Sequence, residues 1–168
     1  VAGSQDQGYQ RGTFAAPGNG RTTNFTQLIS GDYGHLTSGD GDHDYLFSTY
    51  PGFVLCQVGE NNPALFLEDF PAGVDHAWMP PVTADPLEAR RFFLSASLLY
   101  RYTKGTSNNW TPAQWSSFDF GVAPGEYMSA LVFSPVQPQR AYTVTDRGRL
   151  YHSDDHGVTW TQSLTTGP

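Results

Sequence analysis

The chain has 168 residues, 38% hydrophobic and 14% aromatic but only 15% charged, where a soluble domain usually carries roughly a quarter, so buried sheet is expected in place of long solvated helices. Sixteen acids against nine bases give a net charge of −7, and the bases are scattered Arg plus the single Lys104, which makes nucleic acid and anionic membrane surfaces poor partners. No stretch approaches the roughly 18 apolar residues of a spanning helix, so membrane insertion is not expected, and the lone Cys56 can form no internal disulfide.

In chain order, residues 1–30 read as an incomplete unit: a strand, a turn and a returning strand over 1–12, a Gly- and Pro-bearing loop over 13–23, and a strand over 25–29. Residues 31–75 hold a strand over 35–40, an acidic link to Asp44, a strand over 45–50, the turn Pro51-Gly52 and a strand over 53–56. Residues 76–120 repeat the plan over 81–86, 91–96 and 99–102, and residues 121–168 repeat it over 127–133, 141–145 and 149–153, with Asp146-Arg147-Gly148 as the turn. Residues 127–133 are apolar on both faces, which predicts a strand sandwiched between two sheets. In 141–145, Tyr142 and Val144 alternate with Thr143 and Thr145, as suits a half-buried strand. Helical periodicity is absent, and Leu87-Glu88-Ala89 after Pro86 supports one turn at most.

Anchored on Phe53, Leu99 and Leu150, these units recur about every 45–50 residues, the period of a four-stranded propeller blade. The expected fold is all-β: a β-propeller segment of consecutive four-stranded antiparallel blades, with a partial blade at 1–30 and blades at 31–75, 76–120 and 121–168.

Ser153-Asp154-Asp155-His156-Gly157-Val158-Thr159-Trp160 fits Ser-x-Asp-x-Gly-x-Thr-Trp, and on that motif the chain resembles the Asp-box, or BNR-repeat, propellers. The physical reading is a turn between the third and fourth strands of a blade. Asp155 would accept backbone N–H groups, Gly157 would supply a positive φ, and Trp160 would pack between sheets, so Ser153, Asp155, Gly157, Thr159 and Trp160 are structural. The run from Tyr100 to Trp110 resembles a degenerate copy, one residue longer and without the acid. Gly3-Ser4-Gln5-Asp6-Gln7-Gly8 is similar to the Gly-Thr-Gln-Asp-Asn-Gly hairpin of the sortilin-like and photosystem-stability-factor-like branch, and Ser30-Gly31-Asp32-Tyr33-Gly34 stands where that branch has Gly-Gly-Asp-Gly. Three blades and most of a fourth are too few to close such a ring. The resemblance therefore implies a piece of a longer extracellular chain, or one that completes its ring with other chains.

Asp32 is the candidate catalytic residue, because its segment resembles the Gly-Asp-x-x-Gly of xyloglucanase-type glycoside hydrolases. Hydrolysis by a carboxylate pair needs a second acid roughly 5–10 Å away, and no second segment resembles the one carrying it. The competing reading is an aspartate capping a tight turn. Asp40, Asp42 and Asp44 alternate as calcium ligands do, although Tyr45 opens a strand where a calcium loop continues with Gly; the other reading is a solvated acidic link. Beyond calcium, no cofactor is expected. Tyr33, Trp78, Trp110 and Trp115 either stack on sugar rings or fill gaps between blades.

Two functional readings result. The first is a secreted or surface-attached module that binds a polysaccharide or protein, or serves as an extracellular scaffold. The second is a fragment of a glycoside hydrolase acting on polysaccharide. With one acid placed and an incomplete ring, the chain alone is read as non-enzymatic in preference to catalytic.

Overall fold

Short apolar runs punctuated by Gly, Pro and Asp fold back on themselves as hairpins, and here they form four consecutive antiparallel meanders. The computed structural model describes residues 1–12, 24–39, 41, 44–59, 63–107 and 109–163; the 13–23 loop, Asp40 and Asp42 lie outside these. Sheet 1 holds β1 (Ala2–Ser4), β2 (Gly8–Arg11) and β3 (Thr26–Ile29). Sheet 2 holds β4 (Gly34–Ser38), β5 (Tyr45–Tyr50), β6 (Phe53–Val58) and β7 (Ala64–Asp69). Sheet 3 holds β8 (Val82–Ala84), β9 (Arg91–Ser95), β10 (Leu99–Lys104) and β11 (Trp110–Gln114). Sheet 4 holds β12 (Met128–Phe133), β13 (Ala141–Thr145), β14 (Leu150–Ser153) and β15 (Thr161–Gln162). Each strand pairs with its sequence neighbour, and the described residues contain no helix.

The sheets stack face to face, and alternation along a strand supplies both sides. In β9, Phe92 and Leu94 join Phe47, Val54, Tyr102 and Trp110 in the seam between sheets 2 and 3. Phe93 points the other way, into the seam with Met128, Leu131, Phe133, Tyr151 and Trp160 of sheet 4. A sheet buried on both faces needs apolar residues at successive positions, as β9 has. The first seam is smaller and built on Tyr9, Tyr33 and Leu55.

Meander topology gives the stack two ends. The hairpin turns β1–β2, β5–β6, β9–β10 and β13–β14 share one end with the connectors between sheets, and the remaining links and turns share the other; these are the connector end and the turn end. At the connector end Gly8 has φ +76°, its amide donates to Gly31 O at 2.9 Å, and a Cβ there would lie 2.2 Å from Ile29 O. No other residue fits that hairpin.

One sequence expectation changes in sheet 4, and the direction of one alternation is set there. β12 is covered on one side only: Ser129, Ala130 and Val132 face outward, Val132 at 55% exposure, because no described segment packs over that face. In β13 the threonines turn inward, with Thr143 and Thr145 buried, while Tyr142 is exposed and Val144 half-buried. Thr143 satisfies its hydroxyl by donating to Ala130 O at 2.8 Å, which makes an inward threonine tolerable.

Candidate functional site

At the turn end of sheet 4, the Ser153–Trp160 turn is organised by one carboxylate. Asp155 Oδ1 accepts from Ser153 Oγ (2.8 Å), Val158 N (3.1 Å) and Thr159 N (2.8 Å), and Oδ2 accepts from Thr159 Oγ1 (2.5 Å). Ser153 Oγ in turn accepts from Gly157 N at 2.8 Å, and Trp160 Nε1 donates to Gly157 O at 2.9 Å. Burial alone would raise the Asp155 pKa, but the donors from Thr159, Ser153 and Val158 hold it at about 2. Gly157 has φ +83°, and a Cβ there would lie 3.1 Å from both Trp115 and Trp160.

The same turn docks on sheet 3. Its His156 is itself at φ +63°, with Nδ1 3.0 Å from Pro138 O and Nε2 3.1 Å from Oδ1 of Asp85 on the β8–β9 link. Asp85 is 1% exposed. Burial works to lower the His156 pKa, but Asp85 and the Pro138 carbonyl outweigh it, and the net shift is upward. Trp115 Nε1 donates to His156 O at 2.9 Å and Ser116 Oγ to Val158 O at 2.6 Å, so the connector after β11 clamps the turn from the other side. The β10–β11 turn, which lacks the acid, borrows one: Trp110 N donates to Glu68 Oε1 of sheet 2 at 2.9 Å, and Trp110 Nε1 to Arg90 O at 3.1 Å.

At the connector end, Asp32 is half-buried and its Oδ1 accepts Asp6 N at 2.6 Å. Asp6 sits at φ +60° in the β1–β2 hairpin, and Tyr33 N donates to Ser4 O at 3.3 Å. Asp32 thus ties the hairpin of sheet 1 to the entry of sheet 2. A second tie is Glu126, buried before β12, whose Oε1 lies 2.7 Å from Arg149 Nη2 and whose Oε2 accepts Ala123 N at 3.0 Å. Burial opposes ionisation of Glu126, yet the Ala123 amide and Arg149 hold its pKa at about 2.

The four candidate ligand aromatics part company. Tyr33 is 3% exposed and packs 5.9 Å from Tyr9 and 5.3 Å from Tyr50, ring centroid to centroid. Trp110 is 2% exposed within the core between sheets 2 and 3. Neither presents a face to a ligand, because each fills a seam. Trp115 is half-buried, with the Arg101 guanidinium 3.8 Å over its ring. Trp78 alone stands out, at 61% exposure. Its connector is held at Asp75, whose carbonyl accepts Ser97 N at 2.6 Å and whose Oδ2 accepts Gly125 N at 3.0 Å.

Of the three candidate calcium ligands only Asp44 is described, and no group of three or more His, Cys, Asp or Glu side chains is placed to hold a metal among the described residues. Cys56 is buried, and burial pushes its thiol pKa up. Glu68, Asp85, Glu126 and His156 carry no single-sequence signal, since Glu68, Asp85 and His156 act on a partner from another sheet and Glu126 on Arg149, 23 residues away in the β13–β14 turn.

One three-stranded and three four-stranded meanders, stacked in order, define the chain as a β-propeller segment. No family model and no curated protein matches the chain, but a solved structure does: the β-propeller domain of Myceliophteria thermophila Cps50 (Swd1), at a TM-score of 0.56 and 13% identity, over 87% of this chain and 46% of that one. The likeness is one of fold, and the chain spans less than half the length of that domain.

Proposed function

We propose that the chain is a binding module of the Asp-box type, secreted or surface-attached, which presents its connector end to a polysaccharide or protein ligand, and whose ring is completed by further blades or other chains. The observation that carries this reading is Trp78, a large ring exposed on a connector pinned by two hydrogen bonds that Asp75 accepts. A flat apolar ring on a pre-ordered backbone is the kind of anchor that sugars and protein hot spots use. The hydrogen-bonded turn around Asp155 supports the Asp-box assignment, and the extracellular location rests on that resemblance. The hydrolase reading has less support, since the Asp32 carboxylate is engaged by the Asp6 amide and serves as a tie between sheets.

The test is a binding screen of the wild type and Trp78→Ala against soluble β-linked polysaccharides and candidate protein ligands, read by intrinsic fluorescence and calorimetry. The expected result is a ligand whose affinity falls at least about tenfold in W78A with an unchanged melting temperature. A ligand bound equally by both proteins would move the site elsewhere, and release of reducing ends that stops in Asp32→Asn would restore the hydrolase reading.

A further inference from the structure

Four of the nine basic residues, Arg90, Arg91, Arg101 and Lys104, fall within fifteen residues on sheet 3 of a chain whose net charge is −7. The β9–β10 register sets Arg91 opposite Thr103 and Phe93 opposite Arg101, so the two arginines are diagonal neighbours on one face, about 7–8 Å apart along the sheet. Arg91 lines a shallow cavity of about 300 Å³ at the turn end, together with Glu88, Arg90, Thr103, Lys104 and Thr106. This lies near the lower limit of small-ligand pockets.

The charges there do not cancel. Glu88 is taken by Arg90, at 3.1 Å. Asp85, buried behind the rim, faces His156 at 3.1 Å. Arg101 is fixed over the Trp115 ring. The Nε atoms of Arg91 and Arg101 are both buried without a hydrogen-bond partner, and no carboxylate forms an ion pair with Arg91 among the described residues. A buried charged donor without a partner costs stability, and an ordered water or ion is one of the ways a folded protein satisfies such an atom. The closeness of the two guanidiniums is felt electrostatically: burial first, and Arg91 second, lower the Arg101 pKa, and the Asp85 carboxylate offsets them only in part.

We propose that the turn-end rim of sheet 3 binds one oxyanion group, a carboxylate, sulfate or phosphate carried on a sugar-sized ligand, with Arg91 as its anchor. The guanidinium fork matches two oxygens of any of these groups, Lys104 adds a second charge to the wall, and the Thr103 and Thr106 hydroxyls supply neutral donors. The site lies at the opposite end of the stack from Trp78 and stands whether or not the connector end binds a ligand. A net negative chain gives no long-range attraction to anions, so recognition here is a short-range matter of donor geometry.

The experiment is calorimetric titration at constant ionic strength with inorganic phosphate, inorganic sulfate, glucuronate and, as a neutral control, glucose. The wild type is expected to bind at least one anion saturably and glucose not at all, with affinity reduced at least about tenfold in Arg91→Gln. Lys104→Gln, at the half-buried rim, provides a second weakened variant if R91Q does not fold, and Arg140→Gln, a base outside the cavity, is expected to bind as wild type does. Preference for glucuronate assigns the group to a sugar acid, and preference for phosphate or sulfate to an esterified ligand. No binding of any anion, or an equal loss in R140Q, would overturn the proposal.

Discussion

At Asp155, one side chain accepts two hydroxyls and two amides and thereby fixes the seven-residue reversal between β14 and β15. Asp155→Asn keeps the shape but removes the charge and one acceptor, and because the carboxylate is exposed the expected loss of stability is about 0.5–1.5 kcal/mol in urea unfolding at neutral pH. Because the folded pKa of about 2 lies below the ordinary 3.8, the stabilisation is complete above about pH 4 and is lost as pH falls through 2. D155N should therefore show a shallower acid limb than wild type. His156 runs in the opposite sense. Its folded pKa is raised above 6.5, so the pairing with Asp85 stabilises fully below that pH and fades as pH rises through the folded value. The stability gap between wild type and His156→Gln is expected to be wider at pH 5.5 than at pH 8.5, and a gap that widens with pH would refute the pairing.

Strands and hairpins obey the same local rules with sharper penalties. Gly8→Ala would place a methyl 2.2 Å from Ile29 O in a backbone at φ +76°, and is expected to unfasten the β1–β2 hairpin, read as lost amide protection in β1 and β2 while β9 stays protected. The strands most legible in the sequence are those framed by strong punctuation. β5 lies between the acidic link and Pro51-Gly52, β13 between a polar link and Asp146-Arg147-Gly148, and both have the bounds that the repeat and its punctuation predict. The outer strands β7, β11 and β15 have no sharp limits in the sequence, because they are half-exposed and their alternation is weak. Inward threonines in β13 were hidden as well, since alternation gives a period and not a direction. Among the candidate site residues, the sequence cannot distinguish a ring in a seam, such as Tyr33 or Trp110, from a ring on a connector, such as Trp78. That difference is created only when two sheets meet. The contact of His156 with Asp85 is likewise a product of stacking, and a single sequence holds no trace of it.

The stack as a whole has unlike outer faces. On sheet 1 the outward positions of one cross-strand row are Ala2, Gln10 and Gln27, a polar surface at ease in water. On sheet 4 one row is Ala130, Val144 and Leu150, and the next runs Val132, Tyr142, His152 and Thr161, apolar over β12 and β13 and polar only toward the outer edge. A following blade would normally cover such a face. Head-to-tail stacking of two copies would press this apolar row against the glutamines of sheet 1, whereas pairing the face with itself about a two-fold axis buries apolar surface on both sides. The 168-residue chain is therefore expected to form dimers through sheet 4, and Val132→Lys to shift the midpoint of association at least about tenfold, the order of one buried aliphatic side chain at 1.5–3 kcal/mol. Light scattering over a concentration series reads both quantities. A chain that stays monomeric throughout would sink this prediction, and open-ended growth in place of a dimer would mean that sheet 1 accepts the apolar face after all.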